Sequence, residues 1–203
     1  MGIALDKNNS GVGDGSKLDG VRRLRVGLSW DSTGNFMGSD LDLSAVVMQG
    51  SKPVRVVSGK KNLIDSLKDG SLVHSGDNTT GAGDGDDETI DAYLDRIEMK
   101  YTGVIFIVTA GFKAGLKEKL LGHKDFSSAD NVEFQVYDMD PGELETVSIM
   151  PSLLSSYNAC LIAKVSRTDT VSQFAPWQIE VMEEMVNVVP GDINSLIRAC
   201  VNR

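Results

Sequence analysis

Apolar and polar residues alternate with a period of two along most of this chain, and that period predicts strands. Leu24, Val26, Leu28 and Trp30 mark one strand, residues 40–48 a second, and residues 54–57 a third behind the strand-start proline Pro53. Residues 71–75 and 89–97 alternate in the same way. The run 104–108 is continuously apolar and rich in β-branched side chains, as a strand buried on both faces is. Val132, Phe134 and Val136 alternate with Glu133 and Gln135, and 144–149, 160–165 and 177–181 continue the pattern. Two stretches change period. Leu116, Leu120 and Leu121 stand at helical spacing among lysines within 112–122, with Gly122 as a stop; Ile193, Leu196, Ile197, Cys200 and Val201 form one stripe behind a capping Asp192. Many short strands separated by Gly, Asp and Asn turns predict a mainly β fold, a two-sheet β-sandwich with a few short helices that include a C-terminal helix docked on it. The 203 residues carry no repeat and no low-complexity linker, so a single domain over 1–203 is expected. Within it, residues 1–20 are expected to be partly flexible, with a short strand at 2–5, a polar loop at 7–15, and order beginning in earnest near Val21.

The chemistry concentrates between Ser75 and Asp91, where Ser-Gly-Asp-Asn-Thr-Thr-Gly-Ala-Gly-Asp-Gly-Asp-Asp-Glu-Thr-Ile-Asp contains acids and glycines and no basic residue. Like charges so close repel one another unless a multivalent cation sits among them, and oxygen-only donors select a hard ion such as Ca²⁺. Gly81, Gly83 and Gly85 can take backbone angles that turn carbonyls and alternate carboxylates toward one point. The spacing is not that of an EF-hand: Asp84, Asp86 and Glu88 mimic its first three ligand positions, but Thr89 stands where the sharp-turn glycine belongs. An acidic turn solvated by water is the competing reading of the loop taken alone. A second segment bears on that choice. In Ser39-Asp40-Leu41-Asp42-Leu43-Ser44-Ala45, strand alternation puts Asp40, Asp42 and Ser44 on one face and Leu41, Leu43 and Ala45 on the other. Asp31, at the end of the strand through Trp30, offers a third carboxylate.

Together Val26-Gly27-Leu28-Ser29-Trp30-Asp31, the Ser39 to Ala45 segment, and Val73 to Glu88 resemble the TerD-like family of tellurium-resistance and stress proteins. Phe126, Asn131, Glu143-Leu144, Tyr157 and Trp177 look like weaker marks of the same family, so the resemblance covers nearly the whole chain. It implies a β-sandwich that binds one or two Ca²⁺ ions, with ligands drawn from Asp31, Asp40, Asp42, Asp77, Asn78, Asp84, Asp86, Asp87 and Glu88. The chain departs from the family pattern at Glu145-Thr146-Val147-Ser148-Ile149 and at Trp177-Gln178-Ile179, both outside the acidic segments.

Composition narrows the function classes. A formal net charge of −9 disfavours nucleic acid and anionic membranes, since phosphate neutralisation needs a clustered basic patch. Arg22, Arg23 and Arg25 are distributed along a strand, and the lysines of 113–124 read as a solvated helix face. Cys160 and Cys200 fall on apolar runs and read as buried thiols. The start lacks a basic-then-apolar signal, and no apolar stretch is long enough to cross a bilayer, so a cytoplasmic location is expected. With only His74 and His123 available, and no final glycine after Gly27-Leu28-Ser29-Trp30 for a nucleophile elbow, a catalytic triad is disfavoured. Gly81 to Gly85 and Gly11 to Gly15 lack the Gly-Lys-Ser/Thr ending of a phosphate loop, and zinc lacks paired Cys or His. The expectation is a non-enzymatic calcium protein whose partners are other proteins, either members of a stress-response complex or further copies of itself. The alternatives are an assembly protein using Ca²⁺ as cement between subunits and, behind it, a metal-dependent hydrolase.

Overall fold

The computed structural model describes residues 16–18, 20–32, 40–59, 67–81, 83–110, 125–126, 129–140, 144–149, 151, 153 and 156–203. Its elements are β1 (Ser16–Leu18), β2 (Arg23–Ser32), β3 (Leu41–Gln49), β4 (Lys52–Ser58), β5 (Leu72–His74), β6 (Glu88–Tyr93), β7 (Gly103–Ala110), β8 (Ala129–Asp138), β9 (Leu144–Ile149), β10 (Ala159–Arg167), β11 (Trp177–Val186) and the helix α1 (Ile193–Ala199). They form a six-stranded sheet in the order β1-β11-β10-β7-β3-β4 and a five-stranded sheet in the order β5-β6-β2-β8-β9, antiparallel throughout. The protein is thus mainly β and built as two sheets, as the period-two pattern predicts.

Between the sheets lies one core. The inward residues of β2 (Leu24, Val26, Leu28, Trp30) meet Leu41, Leu43, Ala45 and Val47 of β3 and Val104, Phe106 and Val108 of β7. Phe106 and Phe134 touch across it with ring centroids 6.3 Å apart. Burying a side chain of this size stabilises the fold by about 1.5–3 kcal/mol.

The six-stranded sheet is apolar on its other face as well. There Val46 and Met48 of β3, Ile105 and Ile107 of β7 and Leu161 of β10 pack with Leu196 and Cys200 of the C-terminal segment. This explains the uninterrupted apolar run of β7, which is buried along its whole length. Asp192 caps α1 by accepting from the Asn194 N–H at 2.9 Å, and Asn158 anchors the approach to the helix by bonding both backbone groups of Val188. Of the predicted stripe, Val201 lies 43% exposed, because the helix ends before it.

Other expectations need correction. Order begins before Val21: β1 pairs with the first residues of β11, a three-residue strand too short to carry a readable period. The strand expected over 89–97 ends at Tyr93, where a turn begins, and the last strand runs on to Val186. The strand expected at 2–5, the loop at 7–15 and the helix at 112–122 lie outside the described residues.

Candidate metal centre

Strands β5 and β6 pair antiparallel, so the acidic segment is the loop of a hairpin. At its base the Ser75 N–H donates to the Thr89 carbonyl and the Thr89 N–H donates to the Ser75 hydroxyl, each at 2.9 Å. Inside the loop the Asn78 carboxamide oxygen accepts from the Thr80 and Gly81 N–H groups, an Asx turn that folds the chain back. Gly81, at φ +56°, lies so close to Trp30 that a Cβ would stand 2.5 Å from the indole Nε1.

The loop is tied to both sheets. Asp87 accepts from the Trp30 N–H at 3.0 Å and the Asn78 side-chain amide at 2.9 Å, while its own N–H donates to the Leu28 carbonyl. Glu88 is 1% exposed; one oxygen accepts from the Leu43 N–H at 2.7 Å and the other from the Asn78 N–H at 3.1 Å. These bonds complete the edge of β3. Its register with β4 starts at Ser44↔Ser58, so the backbone of Leu43 turns instead to Glu88 and to His74, whose Nε2 lies 3.0 Å from the Leu43 carbonyl. His74 Nδ1 accepts from the Gly76 N–H, and Nε2 is the nitrogen placed to donate to the Leu43 carbonyl. With both ring nitrogens engaged, His74 braces the junction and is not a free donor.

Beside this junction Asp40, Asp42 and Asp77 converge, with one carboxylate oxygen from each lying within 4.8 Å of the others. Asp42 is 2% exposed, Asp40 half-buried and Asp77 exposed, so the group opens from the sheet toward solvent. The remaining predicted ligands take other positions. Asp31 accepts from the Asn131 side chain at 2.7 Å, a partner one hundred residues away that no local pattern signals. The Asp86 carboxylate lies over Gly27, where a Cβ would sit 2.1 Å from it. Asp84 is exposed on the loop. Burial pushes the Asp87 carboxyl above the ordinary range against the Trp30 hydrogen bond, and the nearby charge of Asp31 adds to the rise.

A family model described as the TerD domain matches residues 1–178. The chain belongs to that family. It is 36% identical over 113 residues to the tellurium resistance protein TerD of Serratia marcescens, covering 54% of this chain and 57% of that one. The chain therefore spans little more than half the length of that relative. It is 27% identical over 197 residues to the stress response protein SCP2 of Bacillus subtilis (strain 168), covering 86% and 90% of the two chains. A solved structure described as a homologue of telluride resistance protein (TerD) from Streptomyces coelicolor A3(2) superposes with a TM-score of 0.66 at 23% identity, over 84% of this chain and 94% of that one. At that identity the likeness concerns the fold.

In this TerD-family chain the convergent group offers only carboxylate oxygens. Such a set suits a hard divalent cation and is poorly matched to zinc or copper, which favour nitrogen and sulfur donors. The thiols take no part: Cys160 and Cys200 are fully buried, and burial raises both to about 12. Among the described residues no helix is long and apolar enough to cross a membrane.

Proposed function

We propose that this chain is a non-enzymatic, cytoplasmic calcium-binding protein of the tellurium-resistance and stress-response family, in which Ca²⁺ orders the acidic loop and a surface for protein partners. The convergence of Asp40, Asp42 and Asp77 carries the reading. Two of these residues belong to the start of the six-stranded sheet and the third to the hairpin loop of the other sheet, so a shared cation ties the loop to the sandwich. Asp86 and Asp84, farther along the loop, are the candidates to complete the coordination shell of one ion or to hold a second.

Binding of this kind couples to stability. An ion at about a hundred times its dissociation constant adds roughly 2.7 kcal/mol, a sizeable share of a domain's total. The low supply of catalytic groups in the sequence favours a binding role over turnover. The buried, hard-to-ionise thiols favour an indirect part in tellurium resistance over capture of the oxyanion, since a thiolate is the reactive form.

Calorimetric titration of chelator-stripped protein with Ca²⁺ and then Mg²⁺, with melting curves and sedimentation under both conditions, tests the proposal. Calcium-selective binding with a raised melting temperature is expected. Absence of heat and of any melting shift would return the loop to an ordinary acidic turn. A calcium-dependent rise in mass would instead make the ion cement between copies.

A further inference from the structure

We propose that Ser44 and Ser58 hold a buried water against the Asp42 carboxylate and so form the inner wall of the cation centre. The inference rests on the calcium reading above and adds to it the residues that orient its one fully buried carboxylate. Ser44 and Ser58 stand directly opposite each other on β3 and β4, and both are 0% exposed. Among the described residues neither hydroxyl has a hydrogen-bond partner. A buried hydroxyl that leaves water without a new partner is costly, and two side by side on one strand pair mark a place built for a polar guest.

The surroundings say which guest. Residues opposite one another on neighbouring strands share a face, so Ser58 lies on the face of Ser44. Asp42, two residues before Ser44 in an unbroken register with β7, lies on that face too. Ile107 and Leu161 continue the serines' row across β7 and β10, and Val46 follows Ser44 along β3, all in the apolar cluster under the C-terminal segment. The hydroxyls therefore mark the border between the carboxylates and an apolar wall. Side chains two apart on a strand stand roughly 7 Å apart at their bases, and among the described residues neither hydroxyl bonds the carboxylate directly; one water between them would serve all three. That water has the Ser44 and Ser58 hydroxyls and the Asp42 carboxylate as partners, within the two to four that a buried water requires.

Groups that orient a ligating carboxylate typically change metal affinity by about 10–100-fold. In Ser44→Ala and in Ser58→Ala, Ca²⁺ affinity measured by calorimetry should fall about tenfold or more, while the melting temperature of the chelator-stripped protein stays level or rises. Ser58, the last residue of β4, supplies the test if Ser44→Ala does not fold. Unchanged calcium affinity in both variants would overturn the inference, as would a lowered metal-free melting temperature with affinity intact, since hydroxyls that only support the fold behave that way. Failure of the unaltered protein to bind Ca²⁺ is a different result: it removes the calcium reading, and this inference with it.

Discussion

On β6, Asp91 accepts hydrogen bonds at 2.9 Å from Arg25 Nε and from an Arg23 terminal nitrogen, and Arg23 also lies over the Tyr93 ring. Burial alone would push the Asp91 carboxyl up, but the hydrogen bonds and charges of Arg25 and Arg23 outweigh it and hold the group below its ordinary range. At the junction of the sheets, Asp40, Asp42 and Asp77 bring three carboxylate oxygens within 4.8 Å of one another. One region carries its counter-charge in the neighbouring strand; the other gathers carboxylates from two elements, the arrangement on which the calcium proposal rests. The first should answer to pH and salt, the second to divalent ions.

The largest effect should come from removing Glu88, which joins β6 to the edge of β3. Glu88→Ala deletes a buried carboxylate that serves the Leu43 and Asn78 N–H groups. Leaving them without partners should cost about 2–4 kcal/mol, read as a lower urea midpoint at an unchanged slope. Next comes Asp42→Asn. Calcium affinity should fall about a hundredfold, equivalent to about 2.7 kcal/mol, while the metal-free protein melts no lower; equal affinity would show that the convergent carboxylates do not make the site. Gly27→Ala reaches the loop by steric means, because the new methyl would overlap Asp86. A calcium affinity lowered about tenfold with little change in metal-free stability would bring Asp86 into the site, within the range typical of a displaced outer partner.

The smallest effect belongs to the Arg-paired region. The folded Asp91 group titrates below its unfolded value of about 3.9, so its stabilisation is fully present above that pH and is lost as pH falls through the folded value. Asp91→Asn should therefore cost about 1 kcal/mol at neutral pH, as for a partly exposed ion pair, and progressively less below about pH 4. Melting curves in chelator at both pH values check this, and calcium affinity should not move.

Much of this molecule is legible along the chain, and the limits have physical causes. β2, β3, β7 and β10 are readable because each buries enough side chains at period two, or without interruption, to overcome local ambiguity. β1 is not, because its evidence is a pairing with β11, some 160 residues away. The outward side of β3 reads as polar from Asp40, Asp42 and Ser44, yet beyond Ser44 it turns to Val46 and Met48 beneath the C-terminal segment. Only the docking of that segment makes both faces interior.

The candidate ligands divide in the same way. Alternation is a local property, and it suffices to place Asp40 and Asp42 side by side; the acid-and-glycine loop likewise announces a concentration of charge wherever it folds. Which loop carboxylate meets those two is a matter of long-range geometry. Glu88 is drawn to the edge of β3 because the Leu43 backbone lies beyond the end of β4 and needs a partner, and Asn78 and Asp87 are drawn to the loop's own backbone and to Trp30. Asp77 is left to converge on Asp40 and Asp42. The strand periods, the two-sheet class and the place where acidity concentrates are legible along the chain, since all three are set by neighbours in sequence. The division of the acids into braces and a convergent cluster was decided only by the tertiary structure, because a hydrogen-bonding demand at one sheet's edge is met by a side chain from the other sheet.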